Sequence, residues 1–518
     1  MFDVAELGRK IAKEDFKTQE PIMREALLDA QFRLREANFS VVVVIAGVEA
    51  AGRGETTNVL LEWMDARRVE THAIDAPTEE QREKPRFYRF WKRLPPTGKV
   101  GIFLGSWYTR PITRHAMGQM EESAFEKKLT QIKAFERMLA HENVVLVKLW
   151  LHISKKTQRK RIEKMAQDPE RAWRLSDKDL AYSERYDDFR RVADRALRRT
   201  STDVAPWKVI EGTDRRYRHM QAAQIILDAI EDRLGNPPAK EPPSSGLPEP
   251  QAINIIRALN LGQRLEPEQY REQLNAEQAR LGWLSRRLVE QKRSAVLVFE
   301  GSDAAGKGGA IRRITRALDA RYYQVMSVAA PTDEERARPY LWRFWRHLPR
   351  HGHVAIFDRS WYGRVLVERL EGFCSQLDWQ RAYSEINDFE EQLTEAGVIV
   401  VKFWLTISAD EQLRRFKDRE QTGFKRHKIT EEDWRNRDKF GAYEAAACDM
   451  IAQTSTEIAR WHLIEAEQKH FARVKVLRTL CDRLEAQLGE AKVPQAGDKS
   501  AFEKKKGRKK DKKDKKKA

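Results

Sequence analysis

At 518 residues and 41% apolar content, the chain has material for about two to four ordinary cores. No apolar run approaches the roughly 18 residues of a membrane span, no signal-peptide core opens the sequence, and Cys374, Cys448 and Cys481 form no Cys-x-x-Cys pair. These features argue against membrane, disulfide-framework and zinc-finger classes and for a cytoplasmic protein. The net charge of +18 asks for a polyanionic partner, and although residues 497–518 hold twelve Lys/Arg against four acids, the rest of the chain stays basic.

The first predicted element is the apolar run 41–44, which feeds "IAGVEAAGRGETT" at 45–57. Its outline is that of a phosphate-binding loop, but Arg53 stands at the lysine position. There follow "APTEEQREKPRFYRFWKRLP" from Ala76, "GSWY" from Gly105, "VKLWLHIS" from Val147 and the triplet Thr200-Ser201-Thr202. After the Pro- and Ser-rich stretch "LGNPPAKEPPSSGLPEPQ" the same text returns in order. It reads "GSDAAGKGG" from Gly301, "APTDEERARPYLWRFWRHLP" from Ala330, "RSWY" from Arg359, "VKFWLTIS" from Val401 and Thr454-Ser455-Thr456. One constant offset relates every pair, so each copy is a complete fold and a short-period solenoid is excluded. The expected organisation is a first domain over 1–236, a loose linker over 237–252, a second domain over 253–490 and a solvated Lys-rich arm over 491–518.

In the second copy, apolar runs at 295–299, 323–328, 353–357, 398–405 and 461–464 alternate with segments of helical period such as 308–320 and 409–420. Runs this apolar predict parallel strands buried on both faces and joined by βαβ crossovers. The expected fold class is α/β: two tandem P-loop kinase-like domains of three α/β/α layers, with parallel sheets, helical lids and ligands at the carboxyl ends of the strands.

Between run 295–299 and the next helix, Gly301, Gly306 and Lys307 have the P-loop spacing. The backbone around Gly301, Ala304, Ala305, Gly306 and Gly308 can converge on phosphate oxygens, the helix start is electropositive, and Lys307 reaches the outer phosphates. Gly308 stands where a Ser or Thr usually holds Mg²⁺. Asp303 inside the loop and Asp358, in "HVAIFDRSWYGR" with Arg359 beside it, are therefore the expected Mg²⁺ ligands. The first copy replaces Asp303, Lys307, Asp358 and Arg359 by Glu49, Arg53, Leu104 and Gly105. Arginine can pair with phosphate but is no compact substitute for lysine at the outer phosphate. Catalysis is accordingly expected in the second copy, with the first structural or regulatory and retaining at most some anion binding.

Basic residues flank the loop in sequence. Arg336, Arg338, Arg343, Arg346, His347 and Arg350 interleave with Trp342, Phe344 and Trp345; Arg364 follows, and then Arg414, Arg415, Arg419, Lys425, Arg426, Lys428, Arg435 and Arg437 lie where a phosphate-clamping lid belongs. Arg343, Arg364, Arg415, Lys425, Arg426 and Lys428 are the expected phosphate ligands, although a solvated helix with i,i+4 charge pairs explains any single one of the lid arginines. Trp361 and Tyr362 are expected to pack in the core, and His427 and His470 are assigned no metal.

The segments "GSDAAGKGG", "APTDEE", "LWRFWRHLP", "FDRSWYGRVLVERL", "VKFWLTIS" and "TSTEIARW", in this order, closely resemble the polyphosphate kinase 2 family over 7–234 and 261–487. The tandem arrangement with an altered first loop is similar to its two-domain branch. The resemblance implies transfer of the terminal phosphoryl group of inorganic polyphosphate to AMP, giving ADP. It also implies Mg²⁺ as cofactor, a catalytic set of Gly301, Asp303, Gly306, Lys307, Asp358 and Arg359, and no requirement for membrane or nucleic acid; homo-oligomer formation stays open. The residues alone leave three other readings standing: ADP as acceptor, an ATP-dependent nucleotide kinase, and a non-enzymatic polyanion-binding protein. A GTP switch is disfavoured because no Asn/Thr-Lys-x-Asp motif occurs.

Overall fold

Val- and Ile-rich runs form the centres of two five-stranded parallel sheets. In the first, β1 (Ser40–Gly47), β2 (Val69–Ala73), β3 (Val100–Leu104), β4 (Val144–His152) and β5 (Trp207–Glu211) lie in the order β2-β3-β1-β4-β5. In the second, β6 (Ser294–Gly301), β7 (Tyr323–Ser327), β8 (Val354–Asp358), β9 (Val398–Thr406) and β10 (Trp461–Glu465) repeat it as β7-β8-β6-β9-β10. This computed structural model describes residues 1–170, 172–237, 254–422 and 431–490. Nearly all of the expected linker, the Lys-rich arm, His427 and the expected phosphate ligands Lys425, Arg426 and Lys428 lie outside the described residues.

Burial on both faces holds for β6, β8 and β9 but not for β7, where Gln324 and Val325 are exposed. The reason is position: β7 is an edge strand, paired only with β8. The helix expected over 308–320 is shorter, Lys307–Thr315, because Asp319 accepts from Arg321 N–H and caps a separate 3₁₀ turn, Ala320–Tyr322. Helices Pro267–Glu290 and Lys469–Leu488 cover one face of the second sheet, packing Leu281, Leu284, Leu288, Leu477 and Leu480 with Leu297, Phe299 and Val401. Helix Gln376–Glu395 packs from the other side of β9 and against Phe440–Thr454, completing three layers.

One segment departs from the order of the copies: Ala329–His347 groups with the first-copy unit, within which Trp345 stacks on Trp91 at a centroid separation of 5.6 Å.

Each sheet carries a lysine in its buried interior. Lys402 Nζ donates to Glu390 Oε2 at 2.7 Å, to Thr454 O at 2.7 Å and to Tyr362 Oη at 2.8 Å. Lys148 repeats this with Glu136, Thr200 O and Tyr108 at 2.7, 2.8 and 3.1 Å. All three ammonium protons have partners, which makes burial of the charge tolerable.

Two histidines make stability pH-dependent. His219 in the first unit is held down to about 4 by burial and then by Arg218, and His462 in the second to about 4 by burial and then by Arg483 and Lys402. Both stay neutral in the folded chain while the unfolded chain binds protons from about 6.5 downward. Their contribution is therefore fully present above that pH and is lost as pH falls towards about 4. Urea midpoints measured across this window should fall, and His462→Gln should flatten the fall of the second unit by about 1–3 kcal/mol. An unchanged slope would exclude His462 as a source.

Candidate active site

The site is built where the carboxyl ends of β6, β8 and β9 converge. β6 ends at Gly301, whose φ is +136° and whose Cβ, if it had one, would stand 2.1 Å from the Leu405 carbonyl oxygen. Only glycine fits there. Ser302 N–H then bonds to that carbonyl at 3.1 Å, the chain turns through Ala304 and Gly306, and helix Lys307–Thr315 begins at once. Gly301, Ala304, Ala305, Gly306 and Gly308 thus form a cradle over the positive end of the helix. Lys307 Nζ arches over it, donating to Gly301 O at 2.7 Å and Ser302 O at 3.2 Å. Burial pulls the ammonium below its usual range, with Asp303 opposing.

Asp303 accepts from Arg359 Nη2 at 2.9 Å and from Asn436 Nδ2 at 2.8 Å. Burial works to raise its carboxyl, but the adjacent Lys307 and Arg359 charges and these hydrogen bonds hold it below the usual range. It is ionised at neutral pH. Asp358 ends β8 opposite Phe299 and lines the same cavity. Arg359 takes φ +64°, where the first copy has Gly105 at +79°. Keeping a bulky residue there costs about 1–3 kcal/mol of backbone strain, and what it gains is a guanidinium aimed at the loop.

Sequence reading missed Glu300, the buried carboxylate at the end of β6. It accepts from Ser360 Oγ at 2.8 Å, and burial pushes its carboxyl up against the pull of Ser360, Lys307 and Arg359. Ser360 caps the turn Trp361–Val365, and Glu390 accepts from Trp361 Nε1 at 3.2 Å and Tyr362 Oη at 2.7 Å. The Asp358-Arg359-Ser360 turn is therefore anchored on its carboxyl side. Trp361 and Tyr362 are fully buried in the core. The available signal was the copy comparison, since the first copy has Ala46 at the place of Glu300.

The loop opens into a cavity of about 810 Å³ whose further walls carry Arg312, Arg419, Lys469 and Arg473, together with Asp418 and Asp433. Arg312, Lys469 and Arg473 were not foreseen, because they sit on helices whose period reads as ordinary amphipathic packing. Of the expected phosphate ligands, Arg415 borders this cavity, but its guanidinium is buried and donates to Ala304 O, Ala466 O and Glu467 O, at 2.9, 2.8 and 2.8 Å. Arg161 of the first copy makes the same clip, to Ala50 O, Gly212 O and Thr213 O. A contact shared with the altered copy shapes the loop, and Arg415 Nε in addition donates to Glu411 at 2.5 Å. Arg343 lies outside the cavity, donating to Ala329 O at 3.0 Å and pairing with Glu335, in the segment that groups with the first-copy unit. Arg364 also lies outside, paired with Glu368 at 2.7 Å.

A second cavity adjoins the first, and Asp303 and Arg359 line both. Its walls are Trp404, Phe440, Tyr443, Leu366, Val367 and Ile256, with Gln412, Asn436 and Glu444 as polar groups. Among the described residues, no aromatic side chain lines the first cavity.

A glycine-rich loop on a central parallel strand, a strand-end acid and a largely cationic cavity are the arrangement expected of a phosphotransferase of P-loop-like α/β fold. The family model for polyphosphate kinase 2 matches residues 10–237 and 264–492. A polyphosphate:AMP phosphotransferase of Pseudomonas aeruginosa is 51% identical over 490 residues, covering 94% of this chain and 99% of that protein. One from Acinetobacter johnsonii is 37% identical over 471 residues, covering 89% and 95%. A solved structure from Pseudomonas aeruginosa, described as polyphosphate kinase 2, superposes with a TM-score of 0.85 at 49% identity, covering 94% of this chain and 99% of that one. The chain belongs to the polyphosphate kinase 2 family.

Proposed function

We propose that the chain is a polyphosphate:AMP phosphotransferase, moving the terminal phosphoryl group of inorganic polyphosphate to AMP in the second copy. The observation that carries the reading is the contrast between the two cavities. Among the described residues, the one at the loop has more cations than acids in its walls and no aromatic surface on which a base could stack, which suits a repeating anion better than a nucleotide donor. The adjoining one, about 70 Å³ and so required to widen before a base can enter, offers Trp404, Phe440 and Tyr443, the kind of surface that accepts a nucleoside. Asp303 and Arg359, at the junction, would face the point of transfer. The activity named for the relatives agrees with this assignment.

In the reaction, an oxygen of the AMP phosphate attacks the terminal phosphorus and the bridging P–O bond breaks, leaving ADP and a polyphosphate one unit shorter. The AMP oxygen is already ionised, so the protein's task is alignment and charge neutralisation. Lys307 and the loop amides hold the terminal anhydride, Arg359 meets charge on the moving phosphoryl group, and Arg312, Lys469 and Arg473 track the rest of the chain. Mg²⁺ fits the donor set. No three acidic, His or Cys side chains among the described residues make a metal cage, whereas Asp358 and Asp303 offer the one or two carboxylates with which this ion is commonly held beside substrate phosphates. When bound it supplies neutralisation of the anhydride oxygens. No described helix is long and apolar enough to cross a membrane, and the cytoplasm is the proposed location.

Incubation of the purified chain with AMP or ADP and either polyphosphate or ATP, followed by nucleotide separation, tests the reading. ADP should form from AMP with polyphosphate, and formation should cease in EDTA. ATP as sole donor should give no ADP beyond a blank, and ADP should yield little ATP. ATP working as well as polyphosphate would establish an ordinary nucleotide kinase, and predominant ADP phosphorylation would move the acceptor one step along.

A further inference from the structure

The two phosphate loops share a backbone path yet differ in what lies against them. In the first copy the space beside Gly52, the residue equivalent to Gly306, is taken by a side chain of the chain itself: a Cβ on Gly52 would stand 2.4 Å from Arg218 Cζ. Arg218 is 1% exposed. Its Nη1 donates to Ala51 O at 3.2 Å and Gly212 O at 3.0 Å, its Nε to Thr56 Oγ1 at 2.9 Å, and its Nη2 pairs with Glu55. Next to it Arg53, at the lysine position, is tied to Glu49. The two cations closest to this loop are thus neutralised internally, and Arg215, at the position of Lys469, is exposed.

In the second copy a Cβ on Gly306 would meet nothing within 4 Å. Arg218 corresponds to Ala472, which lines the open cavity, and Glu55 and Thr56 correspond to Gly309 and Ala310, so an inward arginine would keep only the carbonyls of Ala305 and Ala466, the equivalents of Ala51 and Gly212. The arginine appears one position later, as Arg473, where the first copy has His219. One residue along a helix turns a side chain by about 100°, so the same residue type moves from beneath the loop to the cavity wall. Arg473 stands there opposite the helix start, its Nη2 3.6 Å from where a Gly309 Cβ would lie, with the Tyr270 hydroxyl at the limit of hydrogen bonding, 3.5 Å. Its neighbours in the wall are Arg312 and Lys469.

We infer that the pair at positions 472 and 473 decides whether a loop of this chain holds phosphate: Arg218-His219 seals the first loop with an internal guanidinium, and Ala472-Arg473 leaves the second open and adds a phosphate-binding arginine. The expectation that the first copy retains some anion binding is then replaced by a sealed site. The inference rests on the phosphoryl-transfer reading above, but its test reads binding, so a chain inert towards AMP still decides it.

Titration calorimetry of the full chain with inorganic tripolyphosphate should give one equivalent bound. Ala472→Arg, which writes the first copy's plug into the second, should abolish that binding, while Arg473→Ala should weaken it about ten- to a hundred-fold, the contribution of one charge-assisted hydrogen bond. Arg473 lies on the cavity wall and its truncation leaves no buried group behind, so it guards against misfolding of the Ala472→Arg chain, which a melting curve checks separately. Two equivalents on the wild-type chain, or unchanged affinity in Arg473→Ala, would overturn the inference. So would a folded Ala472→Arg chain that binds as the wild type does.

Discussion

Asp358→Asn, or Lys307→Ala, is expected to lower kcat for ADP formation by about three orders of magnitude, with the melting temperature little changed. Asp358 sits at a strand end on the cavity wall, so on the proposed reading its loss removes a ligand of the Mg²⁺ that neutralises the phosphates, without opening the core. Losing one preorganised electrostatic contact at a transferring group typically costs about 10²–10³ in kcat, and more where a metal is lost with it. Lys307 belongs to the same calculation: its ammonium is the compact charge over the loop. The contrasting variant is Arg53→Ala in the first copy. Arg53 is already paired with Glu49 and stands beside no strand-end acid, since Leu104 ends β3. Its loss should change kcat less than about threefold. Steady-state kinetics on the three chains settles the matter, and equal losses at the two loops would return catalysis to both copies.

The second large effect is on stability. Lys402→Met should destabilise the second domain by about 3–5 kcal/mol, because it strands the Glu390 carboxylate in the core without its counter-charge. Both side chains are 0% exposed, so no solvent screening softens the loss. Burial pulls the Lys402 ammonium down and pushes the Glu390 carboxyl up, and each holds the other ionised. Replacing both, Lys402→Met with Glu390→Leu, should recover much of the stability, since a packed apolar pair no longer buries charge. Activity should not recover with it: Glu390 also accepts from Trp361 and Tyr362, which follow the Asp358-Arg359-Ser360 turn. Chemical denaturation read together with kcat separates the two effects. A double variant as active as the wild type would show that the turn needs no such anchor. Lys148→Met should cost the first domain a similar amount while sparing kcat.

Much of this was legible in the primary structure. Duplication is a statement about text, and a constant offset needs no coordinates. The apolar runs gave the central parallel strands, because a strand buried on both faces has no polar face to alternate, whereas the edge strand β7 is exposed at Gln324 and Val325. The tight turn after β6 was readable because Gly301 and Gly306 take positive φ, and the place of Asp358 because it closes an apolar run. Where the reading fell short, the deciding contacts lie far apart in the chain. Arg415 and Arg343 looked like phosphate ligands in a basic stretch, but the partners that claim them are loop carbonyls and Glu335.

What the sequence determined by itself is therefore the set of properties carried by local periodicity and special backbone residues: the repeat, the α/β class, the loop and the strand-end acid. Tertiary structure alone decided which charges remain available to a ligand. That Glu300 grips Ser360, that Arg218 fills one loop while Ala472 leaves the other open, and that Lys402 finds Glu390 all depend on distances across the fold. A charged side chain's role is set by the partner it meets there, and its own letter carries no record of that partner.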